Sequence, residues 1–146
     1  MPRLAVVLLV FLLVACGTGE PVNSKLPVDA QTIAKLQALR DESKFHEDMA
    51  LVYPGAFDEA TRVSLQTRLD ALLDRLIAEL PSSPTKEYVL REFQATLPLF
   101  ESEDSEDRDR FLAYLDQIMT IVGIESSDGL LNKWRYGFDP NGVPSN

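Results

Sequence analysis

Cysteine and histidine are almost missing from this chain, which has one of each, Cys16 and His46, in 146 residues. A single cysteine allows no internal disulfide and no cysteine-based zinc site. Cys16 also lies in the N-terminal apolar segment, so the body of the chain has no thiol for catalysis. A single histidine allows no histidine-rich metal site. His46-Glu47 opens like a zinc-protease helix, but the second histidine that motif needs one turn later is Ala50. A charge-relay triad would have to use His46, and no Gly-x-Ser-x-Gly elbow accompanies it. His46 therefore reads as a helix-face residue half in solvent. Basic residues are also scarce, 14 against 23 acidic, for a net charge of −9. That balance excludes nucleic acid and anionic lipid head groups as partners, since both require clustered Lys and Arg. The longest apolar run, residues 4–14, is shorter than the roughly 20 residues a membrane-spanning helix needs.

What the N-terminus does contain is a secretory signal. Arg3 supplies the positive start, Leu4 to Val14 the apolar stretch, and Leu13-Val14-Ala15 the small-residue approach to a cut. Leu13-Val14-Ala15-Cys16 also resembles the lipobox of bacterial lipoproteins, with Cys16 at the one position where that motif requires cysteine. The resemblance implies cleavage after residue 15, acylation of Cys16 and attachment to the cell membrane or the outer membrane. Gly17 is not the Asp that commonly retains such proteins at the inner membrane, which points to the outer one where two membranes exist. An ordinary signal peptide with an incidental Cys16 is the alternative.

Residues 16–28 follow as a lipidated cysteine and flexible tether, rich in Gly, Pro, Ser and Asn. As a random coil, eleven such residues span about 20 Å. The domain is expected over residues 29–140, with 141–146 as a tail. Asp29 caps a first helix whose stripe, Ile33, Leu36 and Leu39, continues through Phe45, Met49 and Val52 to Tyr53-Pro54-Gly55. Asp58 caps a second, with Leu65, Leu69, Leu72, Leu76 and Leu80 on one face and Pro81 ending it. Ser83-Pro84 starts a third through Tyr88, Val89, Phe93, Leu97 and Phe100, disturbed near its end by Pro98. The polar stretch 101–107 leads to a fourth through Phe111, Leu115, Ile118, Met119 and Val122, closed by Gly123. The acidic residues of that stretch favour a helix N-terminus, and they lack the order of a calcium loop. The fold class is all-α: four main helices and a short fifth.

That fifth helix is expected over Gly129 to Tyr136, capped by Ser127 and ended by Gly137. Its segment, Ser126-Ser127-Asp128-Gly129-Leu130-Leu131-Asn132 followed by Trp134, resembles the closing segment of a small bacterial family, the domain of unknown function numbered 4844. The resemblance implies a helical domain with no assigned activity. Asp128, Trp134, Arg135 and Tyr136 are the candidate binding surface, because Trp, Tyr and Arg supply most interface anchors. The competing reading makes Trp134 and Phe138 a lid on the bundle, with Arg135 and Tyr136 turned outward. No catalytic residue, metal ligand or cofactor is indicated. The expected function is a membrane-anchored, non-enzymatic module that binds a protein partner in the envelope, of inhibitor or immunity type. A carboxylate-dependent envelope hydrolase is the alternative.

Overall fold

A computed structural model of the chain describes residues 25–138. The signal segment, Cys16, most of the tether and the tail 141–146 lie outside the described residues. Among the described residues the chain is all-α, with five helices and two 3₁₀ turns. No strand forms there beyond two isolated bridges, Lys25 with Thr85 and Asp48 with Tyr53. No described helix is long and apolar enough to cross a membrane.

Helix α1 spans Ala30–Asp41, and its start is written in the side chains of Asp29 and Thr32. The Asp29 carboxylate accepts from Thr32 N–H at 2.7 Å, while Thr32 Oγ1 accepts from Asp29 N–H at 3.4 Å. This reciprocal pair satisfies donors that a helix start otherwise leaves orphaned. The folded domain begins before this cap. Leu26 is buried in the core and its N–H donates to the Pro84 carbonyl at 2.7 Å. Residues 25–28, read from sequence as tether, therefore belong to the domain, because Leu26 has an apolar site to fill.

The expected continuation of the first helix through Val52 does not occur. Lys44 ends it from a distance of two residues. Its fully buried ammonium donates to the carbonyls of Arg40 at 2.9 Å and Glu42 at 2.8 Å, and to Asp70 Oδ1 at 2.8 Å. Side-chain donors that satisfy the last carbonyls of a helix stop it as effectively as a further turn would extend it. Phe45 then turns left-handed at φ 61° with its ring in the core, and Tyr114 Oη accepts its N–H at 3.2 Å. His46, expected on a helix face, sits in this exposed loop with Nε2 2.7 Å from Ser43 Oγ.

Helix α2, Glu59–Glu79, follows its sequence signals closely. Asp58 caps it by accepting from Thr61 N–H at 2.7 Å, and Leu65, Leu69, Leu72, Leu73 and Leu76 are all fully buried. Helix α3, Lys86–Thr96, starts later than Ser83-Pro84 implies. Pro84 spends its carbonyl on Leu26, and Thr85 takes the cap, its hydroxyl accepting from Tyr88 N–H at 3.2 Å. Pro98 then converts the chain into a 3₁₀ turn over Leu97–Phe100.

Helix α4, Ser105–Val122, is capped by Asp104 and buries Phe111, Tyr114, Leu115, Ile118, Met119 and Val122. Gly123 ends it at φ 80°, where a Cβ would come within 3.4 Å of the Pro27 ring. Helix α5, Leu130–Tyr136, buries Leu131 and packs Leu130 and Trp134 partly on the core. Ser127 supports its start through both its carbonyl and its hydroxyl. Helix α1 packs on α2 and α4, and α2 on α3. A chain of rings crosses these elements. Tyr114 meets Phe45 edge-on at 5.2 Å, Phe45 lies 6.4 Å from Phe100, Phe100 stacks on Phe111 at 3.7 Å, and Phe111 meets Trp134 edge-on at 6.1 Å.

Candidate functional site

Residues 48–53 form a tight knuckle. Asp48 and Tyr53 exchange two backbone hydrogen bonds of 2.9 and 3.0 Å. Between them Met49–Leu51 makes a 3₁₀ turn, and Asp48 Oδ1 accepts from Ala50 N–H at 3.2 Å. Val52 closes the turn in the left-handed region, φ 54° and ψ 36°. That backbone is unusual for a β-branched residue and costs roughly 1–3 kcal/mol. The knuckle nevertheless directs its apolar side chains into solvent: Met49 is 67% exposed, Leu51 58% and Val52 79%. Phe57 stands exposed on the same loop. The base is tight, since a Cβ on Gly55 would come within 3.0 Å of Glu47 N at φ 90°.

Helix α4 fixes the knuckle in place. The buried Tyr53 hydroxyl donates to the buried Asp107 carboxylate at 2.5 Å. Burial pushes the Asp107 carboxyl above its usual range, against the opposite pull of Tyr53. The Tyr53 phenol is raised, first by burial and then by its bond to Asp107. Arg110 pairs with Asp48 at 3.1 Å, and its guanidinium lies over the Tyr114 ring at 4.7 Å and the Tyr53 ring at 5.6 Å. Such stacking over aromatic faces adds to the ion pair.

Between knuckle and helix runs a groove of about 250 Å³, with Leu51, Val52 and Tyr53 on one side and Glu106, Asp109, Arg110 and Ala113 on the other. Asp109 connects it to the end of α5. Its two oxygens receive Arg135 Nε at 2.5 Å and Nη2 at 3.0 Å, and the same guanidinium covers the Tyr136 ring at 5.4 Å. Of the four residues singled out from sequence, Arg135 is thus tied to a side chain of the groove wall, and Tyr136 lies against Arg135. Tyr136 is 59% exposed.

The other two residues go elsewhere. Trp134 turns inward against Phe111. Asp128, left-handed at φ 53°, binds Lys86 at 2.6 Å beside the start of α3. Phe138, expected in the lid, is 61% exposed, so the inward side of α5 is Leu130, Leu131 and Trp134 alone. Met49, Leu51, Asp109 and Arg110 were not visible as a group in the sequence. Their one local signal is a Met-Ala-Leu-Val run directly before Tyr53-Pro54-Gly55.

The acidic stretch resolves into separate local tasks. Glu103 pairs with Arg68 at 2.7 Å, Asp104 caps α4, Glu106 accepts from Ser105 at 2.8 Å, Asp107 binds Tyr53 and Asp109 binds Arg135. Among the described residues no three His, Cys, Asp or Glu side chains gather to hold a metal ion.

No curated protein matches the chain. It is similar to a DUF3571 family protein from Acinetobacter baumannii AYE, known from a crystal structure. The two are 30% identical with a TM-score of 0.66, over 73% of this chain and 89% of that one. The profile of a domain of unknown function, DUF4844, matches residues 27–139, which take in all five helices. The chain belongs to the DUF4844 family.

Proposed function

We propose that this protein is a lipoprotein of the bacterial envelope, anchored through acylated Cys16, that binds a protein partner on the face formed by the knuckle and the end of α5. The role is that of an inhibitor or immunity-type module, which occludes its partner without chemistry of its own. The observation that carries the reading is the knuckle itself. Three large apolar side chains are held out in water on a backbone that costs free energy to maintain, and exposed apolar groups arranged in this way are characteristic of interaction sites. Arg135 over Tyr136 adds the pair of residue types that most often anchor interfaces.

The full chain, expressed with a photo-crosslinking residue replacing Leu51 or Tyr136, tests the binding. Each position should yield a discrete adduct with an envelope protein, and neither adduct should appear from a crosslinker replacing Gln37 on α1. Silence at both positions would overturn the binding role. The anchor has its own test, since Cys16→Ala should leave an unprocessed or soluble form. Processed Cys16→Ala protein in the membrane fraction would refute lipidation.

A further inference from the structure

We infer that the groove between the 48–53 knuckle and the first turns of α4 seats a cationic polypeptide segment through one apolar side chain, at the end of the domain opposite Lys25. This rests on the reading above and specifies its partner.

Size sets the first limit. A groove of about 250 Å³ is smaller than the 300–1,000 Å³ typical of cofactor and small-molecule sites, and it suits a single large side chain. The Leu51 and Val52 side chains supply an apolar wall for it, and Tyr53 lies at its floor.

Charge sets the second. The two cations nearest the groove are already committed, Arg110 to Asp48 and Arg135 to Asp109. Glu106 lines the groove, and among the described residues it takes part in no salt bridge; the Ser105 hydroxyl donates to it and holds the carboxyl below its usual range. Exposed Glu47 adjoins the knuckle in the chain, and Asp104, the cap of α4, lies close enough to act electrostatically on both Tyr53 and Asp107. An apolar seat with an acidic rim is complementary to Lys or Arg flanking a Leu- or Phe-like anchor, and the net charge of −9 steers such a segment inward.

Position sets the third. Lys25, where the described chain begins, bridges to Thr85, and Pro27 lies against Gly123 at the end of α4. Tyr53 binds Asp107 in the first turn of the same helix. At 1.5 Å per residue, the groove and the tether exit are separated by about 25 Å along α4. A knuckle that dipped into the bilayer would bring its acidic rim against anionic lipid.

The test uses the full acylated chain in phosphatidylcholine vesicles, with the photo-crosslinker at Leu51. Three short peptides are offered, alternating Lys with Leu, Lys with Ser, and Glu with Leu. The Lys/Leu peptide should give about tenfold more adduct than either other, the weight of one buried anchor or of a reversed charge. Glu106→Lys should reduce its yield several-fold. A crosslinker at Glu87, near the tether exit, should give none. Equal yields from Lys/Leu and Lys/Ser would reduce the effect to bulk charge and overturn the seat. Equal yields from Lys/Leu and Glu/Leu would overturn the cationic preference. Adducts with lipid in place of peptide would make the knuckle a membrane contact. Should Leu51 stay silent here while Tyr136 still captures an envelope protein in cells, the binding role stands and this groove is not its seat.

Discussion

Asp107 and Asp29 titrate in opposite senses, although both are aspartates at helix starts. Hydrogen bonds from Thr32 hold the Asp29 carboxyl below its ordinary value, and Thr61 does the same for Asp58. Their contributions are therefore present at neutral pH and lost as the solution is acidified through their folded-state values. Asp107 is raised by burial, so its ionised form is the disfavoured one in the fold. Its cost to stability exists above its folded-state value and is relieved as pH falls through it. Asp107→Asn keeps an oxygen for the Tyr53 hydroxyl and removes the charge. The variant should melt at or above the wild type at pH 7, with that difference shrinking toward pH 4. A large loss at every pH would show that the Tyr53 bond depends on the carboxylate. Val52→Gly makes the complementary test nearby. Glycine accepts the left-handed backbone, so the variant should gain about 1 kcal/mol, a few degrees in melting temperature, while weakening binding at the knuckle. Unchanged melting would mean that Val52 is not strained.

The helices differ in how much of their position was visible in the order of residues. Leu65 to Leu76 on α2 and Phe111 to Val122 on α4 repeat at helical spacing within capped boundaries, and both faces are buried as that pattern requires. Leu72→Ala or Leu115→Ala should cost roughly 2–5 kcal/mol, read from denaturant midpoints. Midpoints matching wild type would mean those faces are not core. Phe45, Met49 and Val52 repeat at the same spacing yet are not helical, because the decisive residue, Lys44, acts through a buried ammonium that no periodicity reveals. The groove was hidden for a related reason: its walls come from segments more than fifty residues apart, joined by Tyr53 and Asp107. Arg135 and Tyr136 could be singled out by residue type, but their neighbour Asp109 looked like one more solvated acid. Helix α5 offers a further test. Truncation after Gly123 removes Leu131 and Trp134 from the core and should lower the melting temperature sharply. Arg135→Ala breaks a pair in which Asp109 is largely exposed, and should change stability by no more than about 1 kcal/mol. If truncation left melting unaltered, α5 would be an appendage.

Taken whole, the domain has polarity: the tether exit, Gly123 and the start of α3 gather at one end, and the knuckle, the start of α4 and the end of α5 at the other. The rings of Tyr114, Phe45, Phe100, Phe111 and Trp134 run through the knuckle's half, and each comes from a loop or helix different from the next, α4 supplying both Tyr114 and Phe111. The sole tryptophan is the last of them. The protein thereby carries its own optical gauge. Excitation of the indole reports from one site, half sheltered against Phe111, and undocking of α5 would expose it to water and shift its emission to the red. Near-ultraviolet dichroism from the stacked Phe100 and Phe111 pair, and from Tyr114, would register loosening of the loop at the far end of the same ring chain. Comparing the two signals during a melt, or as a partner is added, distinguishes release of the C-terminal helix from rearrangement of the loop without any label being introduced.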